Sequence, residues 1–122
     1  MTYQIDPEQV LNAITPRTKA IMVVQIDTAS SCVNDIPAIR RAIDAARHPA
    51  LLMVDGVASI GCMPFAMDEW GIDVAMAGSQ KGLMTPPGLA FVAASQKAKE
   101  VSKKAGMRTM YEDGIAKAMQ GE

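Results

Sequence analysis

Lys81 stands in the stretch MAGSQKGLMTPPG, Met76 to Gly88, between the short apolar runs Asp73–Ala77 and Leu89–Ala94. Its neighbours are Ser79, Gln80 and Gly82, and a Pro86-Pro87-Gly88 turn follows. A lysine at the mouth of a buried strand is poorly placed as a plain surface charge. Burial disfavours the charged form of an amine, and a neutral amine attacks carbonyl carbon to form a Schiff base. Asp55 closes a second apolar run, ALLMVD, and a third, AIMVVQI, opens into the hydroxyl-rich stretch DTASSC, Asp27 to Cys32. An aspartate and a lysine at adjacent strand ends make either a structural ion pair or a reactive site, and spacing alone does not choose. If the carbonyl belongs to pyridoxal phosphate, the aspartate has a defined role. It holds a proton on the pyridine nitrogen and turns the ring into an electron sink.

The elements that must position these groups follow from capping and periodicity. Residues 6–13 read as a helix, with Asp6 as N-cap and Pro7 at the first helical position, where a missing N–H costs nothing. Ala20–Ile26 is a continuous apolar run rich in β-branched residues, which predicts a strand buried on both faces of a parallel sheet. The clearest helix is NDIPAIRRAIDAARHP. Asn34 or Asp35 can cap it, Pro37 falls in its first turn, and Ile36, Ile39, Ala42, Ile43 and Ala46 share one face. His48-Pro49 ends it, because the residue before proline is pushed out of the α region.

Residues 50–55 and 72–78 predict two more buried strands, with a helical turn around Asp68–Gly71 between them. Residues 89–95 predict a fourth strand. The loop before it has no room for a crossover helix, so this strand should run antiparallel. Gln96–Lys104 reads as a charged helix, and residues 106–122 as a turn with a frayed helix. Together these predict an α/β fold: a mostly parallel sheet, three parallel strands plus one antiparallel, flanked by helices. In such sheets ligands bind outside the carboxyl ends of the parallel strands. Thr28–Ser31, Asp55 and Ser79–Lys81 all fall there.

Bulk properties set the outer limits. The chain has 122 residues, a one-domain length, with 49% apolar and 20% charged residues, so disorder is not expected. A net charge of -1 gives no surplus to neutralise phosphates, which argues against a nucleic-acid partner. No apolar run approaches the roughly 20 residues of a membrane span. There is no basic-then-apolar leader, so a cytoplasmic protein is expected. Cys32 and Cys62 form no C-x-x-C pair and read as free, semi-buried thiols in a reducing compartment. Ten methionines read as core packing rather than a metal site, and no metal ligand set is expected. His48 reads as a solvated helix cap, Lys97, Lys99, Lys103 and Lys104 as a solvated face, and Trp70 as a core or interface anchor.

The runs VDGVASIG and MDEWGIDVAMAGSQKGLMTPPGLAFV, in this order and spacing, resemble the class V, fold-type I pyridoxal-phosphate aminotransferases. The likeness spans roughly residues 5–110 and is nearest to the serine–glyoxylate and alanine–glyoxylate enzymes. It implies transfer of an amino group from a small amino acid to a 2-oxo acid, with pyridoxal 5'-phosphate as cofactor. Lys81 would carry the internal aldimine and then move the substrate proton. Asp55 would pair with the pyridine nitrogen, Val57 would pack on the ring, Gln80 would lie by the phenolic oxygen, and Thr28 near the ring.

Two departures stand out. Where the family has Glu, small hydroxyl residues and Gly in the first loop, this chain has Asp27-Thr28-Ala29-Ser30-Ser31, and Gln25 replaces a histidine or its equivalent. Residues 1–122 also correspond to part of the family's large domain. The N-terminal phosphate loop and the C-terminal small domain, with its carboxylate-binding arginine, would lie elsewhere, as would the second subunit of a homodimer. This chain alone is therefore expected to be inactive. A non-catalytic truncated module and a cysteine-desulfurase-like enzyme are the rival readings, though neither cysteine is placed like a desulfurase nucleophile. A nicotinamide-binding domain lacks its G-x-G-x-x-G turn.

Overall fold

A computed structural model describes residues 4–108 together with Lys117, Met119 and Gln120. Helix α1 (Pro7–Ala13) begins where Asp6 caps it, its Oδ1 accepting the Glu8 N–H at 2.9 Å. Strand β1 covers Ala20–Val24 and stops short of the predicted end. Gln25 breaks the run, and Ile26–Asp27 (β2) instead pairs antiparallel with Cys32–Val33 (β3). The apolar run concealed this small hairpin, because Ile26 continues the pattern while its backbone partners change.

Helix α2 (Ile36–Ala45) is capped by Asp35, whose Oδ1 accepts the Ala38 N–H at 2.9 Å. Asn34 does something else. It accepts the Ile5 N–H and donates to the Val24 carbonyl, both at 2.8 Å, tying the N-terminal segment to the end of β1. Strands β4 (Leu51–Asp55), β5 (Val74–Gly78) and β6 (Ala90–Ala94) complete the main sheet, and α3 (Gln96–Lys104) follows a Ser95 cap. The sheet order is β1-β4-β5-β6. The first three strands are parallel and β6 is antiparallel to β5, as the short intervening loop requires. Asp55 lies level with Val24 on one side and Met76 on the other. Expectations for residues 109–116, 118, 121 and 122 lie outside the described residues.

The core occupies one face of this sheet. Ile36, Ile39 and Ile43 of α2 are fully buried against Val23, Leu52, Val54 and Ala75, with Ile72 beside them. Burying each of the isoleucine, leucine and valine side chains is worth about 1.5–3 kcal/mol. Phe65 and Trp70 close the edge of the cluster, their ring centroids 5.8 Å apart and tilted by 53°. No described element covers the opposite face: Met22 is 74% exposed and Val92 68%. The expectation of strands buried on both faces is thus corrected. An apolar run looks alike whichever faces it presents.

Two side chains read as solvated are structural. His48 is half-buried, and its Nδ1 accepts the Ala50 N–H at 3.2 Å, so Nε2 carries the proton and donates to the Thr15 carbonyl at 3.0 Å. Lys97 reaches back to the Ala50 carbonyl at 3.3 Å and to Asp73 at 3.5 Å. Asp73 is buried and also accepts from the Leu52 N–H, the Ser95 hydroxyl and Arg40. No helix among the described residues is long and apolar enough to cross a membrane.

Candidate active site

Strand β5 ends at Gly78, and the chain turns at once. Lys81 N–H points back to the Gly78 carbonyl at 3.4 Å, and Met84 N–H donates to the Lys81 carbonyl at 2.9 Å. The turn brings three of the five predicted site residues to one point. A methyl carbon on Gly78 would lie 3.5 Å from Gln80 Oε1, 3.7 Å from Lys81 Cγ and 3.8 Å from Val57 Cγ1. Gly78 therefore floors a small cradle walled by an amide, the lysine stem and a branched methyl. Lys81 and Gln80 are exposed and Val57 is half-buried.

The loop is seated by backbone rather than by side chains. A Cβ on Gly82 would come within 2.3 Å of the Ile60 carbonyl and 2.8 Å of Cys62 Sγ. Gly61, at φ +88°, would push its own Cβ to 2.6 Å from the Gly82 carbonyl. Neither position has room for a side chain, and only glycine takes the Gly61 conformation without strain. Cys62 is exposed rather than semi-buried; both cysteines are free, as expected.

Asp55 is half-buried at the end of β4. Its Oδ1 accepts the Val57 N–H at 2.9 Å, while Oδ2 has no hydrogen-bond partner among the described residues. It rims an apolar cleft on the open face with Met22, Val24, Met53 and Met76. Asp55 and Lys81 form no ion pair, which removes the structural-pair alternative and leaves the amine unengaged among the described residues. Lys81 is correspondingly not enclosed, against the expectation of a desolvated pocket.

The first loop is built differently. Asp27 folds the turn onto its own carboxylate: Oδ2 accepts the Ser30 hydroxyl at 2.6 Å and Oδ1 the Ala29 N–H at 3.1 Å. The Ser30 hydroxyl, then the Ala29 amide, hold its carboxyl below the usual range. Ser31, where the resembling family has glycine, sits at φ +57°. Thr28 is exposed and shares no hydrogen bond with the other four candidates. The structure thus gathers Val57, Gln80 and Lys81, ties Asp55 to Val57 by a backbone bond, and leaves Thr28 on a neighbouring turn. Gln25 is buried, its Nε2 donating to the Pro64 carbonyl at 3.4 Å. The roles of Gly78, Gly61 and Gly82 were missed in the sequence. Their signal lies in glycines on either side of the lysine and in the second glycine of the GVASIG stretch that follows the Asp55 strand.

The main sheet thus sets a lysine turn and an aspartate at the carboxyl ends of neighbouring parallel strands, where ligands bind in folds of this class. Residues 2–113 match the family model described as aminotransferase class-V, and the chain belongs to that family. It is 54% identical over 95 residues to an L-aspartate–glyoxylate aminotransferase of Paracoccus denitrificans, covering 77% of this chain and 24% of that one. It is 61% identical over 80 residues to a serine–glyoxylate aminotransferase of Methylorubrum extorquens, covering 66% and 20%. Among solved structures, an alanine–glyoxylate aminotransferase from Nostoc sp. superposes with a TM-score of 0.74 at 28% identity, covering 88% of this chain and 28% of that one. The chain therefore spans a fifth to a quarter of the length of the curated relatives it matches.

Proposed function

We propose that this chain carries the lysine-bearing part of a pyridoxal-phosphate-dependent aminotransferase site. The reaction would move an amino group from a small amino acid, such as serine or alanine, to a 2-oxo acid such as glyoxylate. The supporting observation is the convergence of Val57, Gln80 and Lys81 over Gly78, with Asp55 fastened to the Val57 amide. That cradle and the carboxylate beside it fit the group: among the described residues they offer an unpaired amine, a branched methyl wall, an amide and a carboxylate with one free oxygen. When bound, pyridoxal phosphate supplies an electron sink for negative charge developing at the substrate's α-carbon.

The chain's own residues do the rest. Lys81 Nζ would hold the cofactor through its aldehyde carbon and would serve as the group that takes and returns the proton at the substrate's α-carbon. Asp55 Oδ2 would accept a hydrogen bond from a protonated ring nitrogen, and the Val57 amide on Oδ1 keeps that carboxylate aimed. Val57 would pack on the ring face, Gln80 would donate toward the ring oxygen, and Thr28 would offer a hydroxyl from the adjacent turn. The same proposal makes the working enzyme a cytoplasmic homodimer. Residues 1–122 are then part of its large domain, and steady transfer by this chain alone is not expected.

The test is reduction with borohydride after adding pyridoxal phosphate, then mass spectrometry of the peptides. A stable adduct concentrated on Lys81 over the other lysines is the expected result. A uniform spread over all lysines would sink the proposal.

A further inference from the structure

We propose that Ser79, assisted by Thr85, is a positioning residue that closes the loop presenting Lys81. This rests on the function proposed above and adds to it a residue whose hydroxyl is engaged by the loop itself. Ser79 is fully buried although it sits between the strand end and an exposed loop. Its hydroxyl donates to the Pro86 carbonyl at 2.7 Å and accepts the Leu89 N–H at 3.3 Å. Its backbone N–H donates to the Leu89 carbonyl at 3.1 Å. Its own carbonyl accepts from Thr85 twice, through the N–H at 3.0 Å and the hydroxyl at 2.8 Å. One residue thus gathers the bonds that fasten the far side of the loop to its start.

The chemistry of the loop demands such an anchor. Pro86 and Pro87 have no N–H to donate, so residues 86–88 cannot close onto β5 by ordinary strand pairing. Met84 stands at φ +52° with its side chain 91% exposed, a conformation unfavourable for a residue with a Cβ. Nothing in its own packing explains why it holds that shape. The five bonds converging on Ser79 do. They bend the chain back within a few residues of Lys81 and so fix the direction of its side chain beside Gln80 and Val57. Without the hydroxyl, the Pro86 carbonyl and the Leu89 amide, both at exposed residues, pass to water, and the loop swings while the core stays intact.

The experiment uses the 122-residue chain with three substitutions, S79A, T85V and T85S. Two readouts are taken: amide hydrogen exchange across residues 80–89, and the share of borohydride-fixed pyridoxal phosphate found on Lys81 relative to Lys19. Loss of one such hydrogen bond predicts exchange at Leu89 roughly tenfold faster in S79A. T85V, at an exposed position where unfolding is no concern, should speed exchange at Thr85 by roughly threefold, and T85S should restore it. The Lys81 share should fall by a similar factor in S79A and T85V and recover in T85S.

Unchanged exchange in both S79A and T85V overturns the proposal. So does faster exchange with an undiminished Lys81 share, because the loop would then loosen without misplacing the amine. Failure of the cofactor reading is separate and visible at once: the unsubstituted chain would show no preference for Lys81. In that event the exchange data alone decide whether Ser79 closes the loop.

Discussion

The two faces of the main sheet are held by different physics. On one, Leu52 and Val54 alternate into a close-packed layer with Ile36, Ile39 and Ile43 and exclude water entirely. On the other, Met22, Met53 and Asp55 occupy the intervening positions of the same strands, and Met22 and Val92 face solvent. The first face is stabilised by filled volume. The second carries the proposed site, and its loops are shaped by hydrogen bonds and close backbone contacts: Asp55 to the Val57 amide, Gly61 against Gly82. A site left open to receive a ligand cannot be stabilised by the packing that makes a core, so its geometry must come from the backbone.

Substitutions can test that contrast. Leu52→Ala should destabilise by about 2–5 kcal/mol, since it leaves a cavity in a dry layer. Met22→Ala, one strand away on the open face, should cost less than about 0.5 kcal/mol. Urea midpoints measure both, and equal losses would mean that the two faces are packed alike. Gly82→Ala should cost about 1–3 kcal/mol despite adding one carbon, because its Cβ meets the Ile60 carbonyl rather than a movable side chain. If the urea midpoint is unmoved, the loop is not seated by that contact.

Ser31→Gly should stabilise by about 1 kcal/mol, because it relieves a left-handed serine in the first loop. A drop in thermal midpoint would show that the Ser31 side chain contributes more than its backbone strain costs. The smallest effect is expected from pH. The Asp27 carboxyl is lowered in the folded chain, mainly by Ser30, so the folded state releases this proton more readily than the unfolded state. Its contribution is complete above the unfolded value of 3.8 and disappears as pH falls through the lower folded value. Asp27→Asn should erase that slope in a pH series of urea midpoints.

Much of the fold was legible because local rules and tertiary context agree here. The Asp6 cap with Pro7 set α1, and the short Pro-containing loop set the antiparallel sense of β6. Illegible features depended on partners distant in the chain. Lys97 looks like any surface lysine until Ala50 and Asp73 fold beneath it, and His48 like an exposed cap until Thr15 meets its Nε2. For the site, the lysine turn and the aspartate were visible as residue types at strand ends. Their separation was not, since an apolar run does not show how far apart two neighbouring ends will hold their side chains. Ser79 was visible only as a flank of Lys81, because its partners Pro86 and Leu89 lie beyond the turn it closes.

Asp73 carries one more consequence. A single carboxylate is shared by the start of β4, the middle of α2, the cap of α3 and the first turn of that helix. Fraying any one of these segments strips partners from a buried carboxylate, so each helps to hold the others. Helix α3, small and largely exposed, is thereby drawn into the same cooperative unit as the central strands.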